Sequence, residues 1–112
     1  MEVEQRKVDQ AVIVRVSGEV DMKTSPELRR HLVALVGEKS KWIIANLENV
    51  AYIDSSGLAT LVECLQGVKK YGGRLSLTGM NDNIKDIFVM TRLDTIFEVF
   101  DTEEKALGSG TA

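Results

Sequence analysis

The chain has 112 residues, of which 44% are hydrophobic and 28% charged, a composition typical of one globular domain rather than a disordered segment. Its formal net charge of -3 argues against the clustered basic face that nucleic-acid binding requires. With one cysteine, no signal peptide and no apolar run near the roughly 20 residues that span a bilayer, we predict a cytoplasmic protein without a membrane partner.

The first elements are predicted to be two strands. Residues 11–17 alternate between valines and other residues, and β-branched side chains dominate, which is typical of a strand. A shorter strand over residues 3–8 can pair with it through a turn at Asp9 and Gln10. The two strands together predict a hairpin.

A helix start follows the hairpin. Thr24 or Ser25 can cap the helix, Pro26 is tolerated in the first turn, and Glu27 stands three residues after Thr24 as in a capping box. Apolar residues then repeat at helical spacing, and Gly37 is a plausible end.

The middle of the chain predicts a central strand and a second helix. Residues 42–47 are almost continuously apolar, which suits a strand covered on both faces, and a turn is expected at Glu48 and Asn49. The run Asp-Ser-Ser-Gly at residues 54–57, here called the DSSG segment, precedes an amphipathic helix that ends near residues 71–73. Cys64 lies within this apolar pattern, which predicts a packed structural thiol.

The last third predicts two more strands and two more helices. Residues 74–78 alternate as a strand, and Asn81 can cap the helix that follows. Residues 95–100 predict a short last strand, Asp101 can cap a final helix, and residues 108–112 are expected to be frayed.

The predicted fold class is α/β, with the order β-β-α-β-α-β-α-β-α. Alternation of strands and helices implies a mixed, mostly parallel sheet of about five strands with about four crossover helices, and the first hairpin supplies an antiparallel edge. Residues 1–112 are predicted to form a single domain, with its core between about residues 8 and 107.

The residues give little support to an enzyme. His31 is the single histidine and lies among arginines on a predicted helix, where a surface position is expected. A nucleophile elbow is half missing, because Ile53 rather than glycine stands two residues before Ser55. Residues 72–73 lack the spacing and the Lys-Ser/Thr pair of a phosphate-binding loop. We therefore predict no catalytic residue, no metal and no cofactor.

The DSSG segment admits two interpretations. It can be an ordinary N-cap cluster, in which Asp54 and the serines supply oxygens to free backbone N–H groups. Alternatively, a hydroxyl at a helix N-terminus is a favourable place to carry phosphate, since the helix dipole and free N–H groups stabilise negative charge. Asp21 and Asp54 could form an acid–base pair, but carboxylates near helix starts more often serve as caps.

Several segments together resemble the STAS domain (sulphate transporter and anti-sigma factor antagonist), specifically the stand-alone bacterial anti-sigma factor antagonists. The resemblance covers about residues 8–107. The matching segments are Val-Ser-Gly-Glu-Val-Asp at 16–21, Ile-Ile-Ala-Asn-Leu at 43–47, Tyr-Ile-Asp-Ser-Ser-Gly-Leu at 52–58, the glycines at 72–73 and Ile-Lys-Asp-Ile-Phe at 84–88.

The resemblance implies a partner-switching mechanism. The unphosphorylated antagonist binds an anti-sigma factor that is also a serine kinase, phosphorylation releases it, and a separate serine phosphatase resets it. Carried over residue by residue, Ser55 is the phosphoacceptor, Ser56 is the second choice, and Asp21, Asp54, Ser56 and Gly57 surround the acceptor. ATP and Mg²⁺ would belong to the partner kinase, and the free antagonist is expected to be a monomer.

The chain departs from the family pattern in two places. The family often has Gly-Leu-Gly where this chain has Gly57-Leu58-Ala59, and often has a glycine at the end of the third helix, where residues 90–93 lack one. The alternative function is a STAS scaffold, or an accessory subunit of a membrane transporter or signalling complex, that is never phosphorylated. In that case Ser55 would be only part of a helix cap.

Overall fold

One mixed sheet and four helices make up the described part of the chain in the computed structural model, which covers residues 1–110. Residues 111 and 112, the end of the predicted frayed tail, lie outside the described residues. In chain order the elements are β1 (Glu2–Val8), β2 (Ala11–Val20), α1 (Ser25–Gly37), β3 (Trp42–Ile53), α2 (Ser55–Lys69), β4 (Arg74–Thr78), α3 (Asp82–Met90), a 3₁₀ turn (Leu93–Thr95), β5 (Glu98–Phe100) and α4 (Glu103–Gly108).

The strand order across the sheet is β1-β2-β3-β4-β5. β1 and β2 are antiparallel, and each later pair of neighbouring strands is parallel. Each parallel connection contains a helix, as crossover connections require. The predicted fold class and element order are therefore confirmed.

The two faces of the sheet are covered unequally. The larger apolar core lies between the sheet and α1, α2 and α3, and includes the fully buried side chains of Leu28, Leu61 and Phe88. A smaller cluster on the other face joins Ile13 and Ile44 to Ala106 of α4. Cys64 is buried in the larger core, and its burial raises the pKa of the thiol to about 12, as befits the predicted structural role.

The turn predicted at Glu48 and Asn49 is wrong, because β3 continues through both residues to Ile53. The register between β2 and β3 shifts twice, and each shift places one extra residue in β3. Such bulges explain why two polar, exposed residues can interrupt a buried strand without ending it. β2 also runs farther than predicted, to Val20 rather than residue 17.

The capping box predicted for α1 does not form. The Thr24 side chain makes no cap hydrogen bond to the helix, and its hydroxyl instead donates to the Glu19 carbonyl at 2.8 Å. Glu27 forms an ion pair with Arg30 at 3.6 Å. Gly37 is the last helical residue, as expected, although Lys39 (φ 57°) supplies the left-handed residue beyond it.

The C-terminal third differs from the prediction in detail. Only residues 98–100 of the predicted 95–100 strand are extended, because a 3₁₀ turn occupies the preceding segment. The cap of α4 is Thr102, whose hydroxyl accepts from the Lys105 N–H at 3.1 Å, rather than Asp101. After α3, Arg92 takes a left-handed conformation (φ 61°), in the stretch where the family often has glycine.

Glu103, the first residue of α4, joins that helix to three strands. Its carboxylate accepts hydrogen bonds from Arg6 of β1 at 2.9 Å, Arg15 of β2 at 3.4 Å and Asn46 of β3 at 2.5 Å. Burial raises the pKa of Glu103, but the hydrogen bonds from Asn46 and Arg6 and the charges of both arginines lower it, and the net shift is downward. The buried carboxylate therefore stays ionised and fixes α4 to the sheet.

Removing the Glu103 charge should destabilise the domain. We expect Glu103→Gln to lower the free energy of unfolding at pH 7 by about 1–3 kcal/mol, because the buried network loses its negative charge and one of its two acceptor oxygens. Urea denaturation measures the change. Glu104→Gln is the matched control, since Glu104 is the exposed neighbour, and its effect should stay within about 0.5 kcal/mol.

The effect of Glu103→Gln should also depend on pH. Because the pKa of Glu103 is lowered in the folded state, its contribution is present above the ordinary glutamate pKa of about 4.3 and is lost as the pH falls through the folded-state pKa. The difference between wild type and Glu103→Gln should thus shrink below about pH 4. A difference that grows with acidification would contradict this role.

Candidate functional site

The ends of β2 and β3 bring the predicted site residues together. The two strands are parallel, Val20 is paired with Ile53, and the Asp54 N–H donates to the Val20 carbonyl at 3.0 Å. Asp21 and Asp54 therefore leave neighbouring strands at the same edge of the sheet. This edge, where the carboxyl ends of parallel strands meet, is the usual place for a site in an α/β fold.

Asp54 is the N-cap of α2. One carboxylate oxygen, Oδ1, accepts from the Ser56 N–H at 2.9 Å and the Gly57 N–H at 3.2 Å. The same oxygen accepts from the Ser56 hydroxyl at 2.6 Å. The prediction that Asp54 caps the helix of the DSSG segment is therefore correct, and Ser56 is its hydrogen-bond partner.

The pKa of Asp54 reflects the groups around its carboxylate. The Ser56 hydroxyl lowers the pKa of Asp54, burial opposes this, and the N–H groups of Gly57, Ser56 and Met22 lower it further, so that the net shift is downward. The main chain joins the end of β2 to the start of α2, through the bond from the Asp54 N–H to the Val20 carbonyl. Sequence patterns gave no signal for this contact, because it depends on the register of two strands.

The two serines of the DSSG segment differ in accessibility. Ser56 is half-buried, and its hydroxyl proton is engaged by Asp54. Ser55 is exposed, and its hydroxyl has no hydrogen-bond partner among residues 1–110. Of the two, Ser55 presents the hydroxyl that an external enzyme can reach without first breaking the cap.

Gly57 allows the helix to start close to the sheet. The residue is buried, and a Cβ there would lie 2.6 Å from Cγ1 of Ile53 and 2.8 Å from Cγ1 of Val20. Both neighbours are fully packed core side chains that have no room to move. Close packing therefore favours glycine at this position, since any side chain would force Ile53 and Val20 to shift.

Asp21 organises a tight turn over residues 21–24, here called the 21–24 turn. Its Oδ1 accepts from the Lys23 N–H at 2.9 Å and the Thr24 N–H at 3.1 Å. The Asp21 N–H in turn donates to the Thr24 hydroxyl at 2.9 Å. The Asp21 side chain thus closes a turn before α1 rather than capping a helix N–H group, and it lies at the same strand-end edge as Asp54.

The remaining predictions concern His31, metal binding and membrane-spanning helices. His31 is half-buried on α1, where its Nδ1 lies 2.9 Å from Nε2 of Gln5. Within residues 1–110, no three His, Cys, Asp or Glu side chains come together as a metal site would require. Nor does any helix in that part of the chain have the length and apolarity to cross a membrane. The absence of cofactors and the cytoplasmic location remain predictions.

Replacing Asp54 should loosen the start of α2. In Asp54→Ala the N–H groups of Ser56 and Gly57 lose their acceptor, so their amide hydrogen exchange should accelerate and the melting temperature should fall. Asp54→Asn keeps an acceptor oxygen and should show a smaller effect. Unchanged exchange at Ser56 and Gly57 in Asp54→Ala would contradict the capping role.

Comparisons with known proteins identify the family of the chain. The model of the STAS domain family matches residues 2–106. The anti-sigma-B factor antagonist of Staphylococcus aureus (strain NCTC 8325 / PS 47) is 33% identical over 99 residues, which cover 88% of this chain and 92% of that protein. The protein of the same name from Bacillus subtilis (strain 168) is 33% identical over 99 residues, 88% of each chain.

A solved structure supports the same assignment. The crystal structure of an anti-sigma factor antagonist from Mycobacterium paratuberculosis superposes with a TM-score of 0.89 at 26% sequence identity, covering 96% of this chain and 92% of that one. The chain therefore belongs to the STAS domain family.

Proposed function

We propose that this protein is an anti-sigma factor antagonist that acts by partner switching. In its unphosphorylated form it binds an anti-sigma factor that is also a serine kinase, and phosphorylation of Ser55 releases it. A separate serine phosphatase restores the binding form. ATP and Mg²⁺ are held by the kinase, and this chain contributes the acceptor hydroxyl and the surface around it.

The observation that carries the proposal is the state of Ser55. Its hydroxyl is exposed and without a partner among the described residues, at the first position of a helix whose cap is already complete. A kinase can therefore phosphorylate this hydroxyl without unfolding α2. The names of the S. aureus and B. subtilis relatives, both anti-sigma-B factor antagonists, support an anti-sigma factor as the partner.

The hydrogen bonds of Asp54 change the expected effect of a phosphate. The helix N–H groups of Ser56 and Gly57 are not free to stabilise the added charge, because both donate to the Asp54 carboxylate. A phosphoryl group on Ser55 would add roughly two negative charges beside this carboxylate. It should therefore remain in solvent rather than fold back onto the helix.

Such a phosphate would act on the partner rather than on the fold. A partner surface fitted to a small serine, or one that is itself acidic, would clash with or repel the new group. Because each 1.4 kcal/mol of lost interaction weakens binding about tenfold, a loss of a few kcal/mol is sufficient for a switch. The fold described above needs no rearrangement for this mechanism.

Variants of Ser55 test the switch through the proteins they retain. Used as baits in lysate of the source organism, wild type and Ser55→Ala should capture the anti-sigma factor kinase, and Ser55→Ala should keep it when ATP is present. Ser55→Glu should capture at least about tenfold less, because a carboxylate imitates part of the phosphate charge. Mass spectrometry identifies and quantifies the captured protein.

Two outcomes would reject the proposal. If Ser55→Ala and Ser55→Glu capture the same proteins in the same amounts, Ser55 is only part of the helix start. If a membrane transporter complex is captured instead of a kinase, the scaffold or accessory-subunit function applies. Ser56→Ala is the matched control: it should retain the switch but lower stability, since its hydroxyl bonds to Asp54.

A further inference from the structure

We propose that a polar cavity between α4 and the sheet, here called the α4-side cavity, binds a primary ammonium group. Its volume is about 110 Å³. The residues that line it include Arg15, Asn46, Glu48, Thr78, Gly79 and Glu104. No residue of the DSSG segment borders the cavity. It is therefore a separate site, and its ligand does not depend on the proposed function.

The floor of the cavity is a row of side chains on three neighbouring strands. Arg15 of β2 is paired with Asn46 of β3, and Asn46 with Thr78 of β4. Because Leu77 packs into the larger core, the next residue, Thr78, points to the other face of the sheet, towards α4. Arg15 and Asn46 point to the same face, since both donate to Glu103 of α4.

The hydroxyl of Thr78 is the observation that points to a ligand. The residue is fully buried, and its oxygen has no hydrogen-bond partner among residues 1–110. Buried hydroxyl groups are rarely left unpaired, because desolvation without a new hydrogen bond costs stability. A single water needs only roughly 10–15 Å³ of such space, so the cavity can hold a group of several heavy atoms against this hydroxyl.

The charges around the cavity favour a cation. Two of the carboxylates that border it are already paired, Asp101 with lysines and Glu103 with arginines. Two others, Glu48 and Glu104, are exposed and have no ion-pair partner in the described part of the chain. Arg15, the arginine of the cavity wall, already donates to Glu103. A cation would thus meet two unpaired carboxylates, which would repel an anion.

The bulge in β3 places one of these carboxylates on the cavity wall. Residues 47 and 48 of β3 together lie opposite a single residue of β2. The Glu48 N–H donates to Oδ1 of Asn46 at 2.9 Å, which holds the bulge in place. Gly79 packs closely on the other side, since a Cβ there would lie 2.7 Å from the Cβ of Glu48. Bulges commonly redirect a side chain beside a functional site, as this bulge redirects Glu48.

A primary ammonium group matches these acceptors. It carries three N–H donors, which the Thr78 hydroxyl oxygen and the carboxylates of Glu48 and Glu104 can accept. A divalent metal ion would require a cluster of acidic, histidine or cysteine side chains, and residues 1–110 contain none. The ammonium group can belong to a free diamine or to a lysine side chain of another protein, and the experiment distinguishes these two sources.

The experiment is an NMR titration of the ¹⁵N-labelled protein with putrescine or with Nα-acetyl-lysine methylamide. About 0.15 M salt screens non-specific attraction of the amines to an acidic protein. A neutral diol of the same chain length as putrescine is the matched control ligand. The amides of residues 46–48 and 78–79 should shift saturably with an amine, with a Kd of about 1 mM or tighter, and at least about tenfold more weakly with the diol. Tighter binding of putrescine assigns the site to free diamines, and tighter binding of the lysine derivative assigns it to a protein partner.

Variants of the cavity test the assigned contacts. Thr78→Val removes the hydroxyl at nearly constant shape, so it should weaken amine binding about tenfold or more. It should also raise the melting temperature of the ligand-free protein, because an unpaired buried hydroxyl is removed. Glu48→Gln, at an exposed position, should weaken binding as well. Glu38→Gln is its matched control, since Glu38 is exposed and outside the cavity, and the Kd should change by less than about twofold.

Three results would overturn the assignment. If neither amine shifts these amides at concentrations up to about 10 mM, the cavity holds water only. If the diol binds as tightly as putrescine, the site recognises hydroxyl groups rather than charge. If Thr78→Val and Glu48→Gln bind like the wild type, the shifts reflect general attraction to an acidic surface. The kinase takes no part in this titration, so each of these results leaves the proposed function standing.

Discussion

The carboxylate of Asp54 is the group on which the geometry of the site depends. It accepts from the Ser56 hydroxyl and N–H and from the Gly57 N–H, and the Asp54 N–H donates to the Val20 carbonyl, so that this residue joins the start of α2 to the end of β2. Three donors on one ionised group leave little freedom to the start of the helix. Ser55 stands within this fixed frame with its own hydroxyl unused, which is the arrangement a surface switch requires.

The carboxylate of Glu103 has a comparable structural role elsewhere in the domain. Glu103 binds residues from β1, β2 and β3, and thereby holds α4 against the face of the sheet that the other helices leave open. Like Asp54, it has a lowered pKa and stays ionised at neutral pH. Asp54 fixes the geometry of the candidate site, whereas Glu103 holds α4 against the opposite face of the sheet. Substitutions at the two residues should therefore affect function and stability differently.

The sequence predicted the element order, the parallel sheet and the capping role of Asp54, because these follow from local periodicity and from side chains close in sequence. It failed at Glu48 and Asn49, where two bulges let polar residues continue a strand. The bond from the Asp54 N–H to the Val20 carbonyl could not be foreseen either, since it joins segments more than 30 residues apart through the β2–β3 register. Both features depend on the pairing of β2 with β3, which local sequence patterns do not determine.

The most direct test of the account is the affinity of the anti-sigma factor kinase for the protein before and after phosphorylation on Ser55. Calorimetric titration with the kinase and a non-hydrolysable ATP analogue would measure both values without converting one form into the other. The account predicts that phosphorylation weakens the Kd by about 100-fold or more, equivalent to roughly 3 kcal/mol. Equal affinities for the two forms would contradict it.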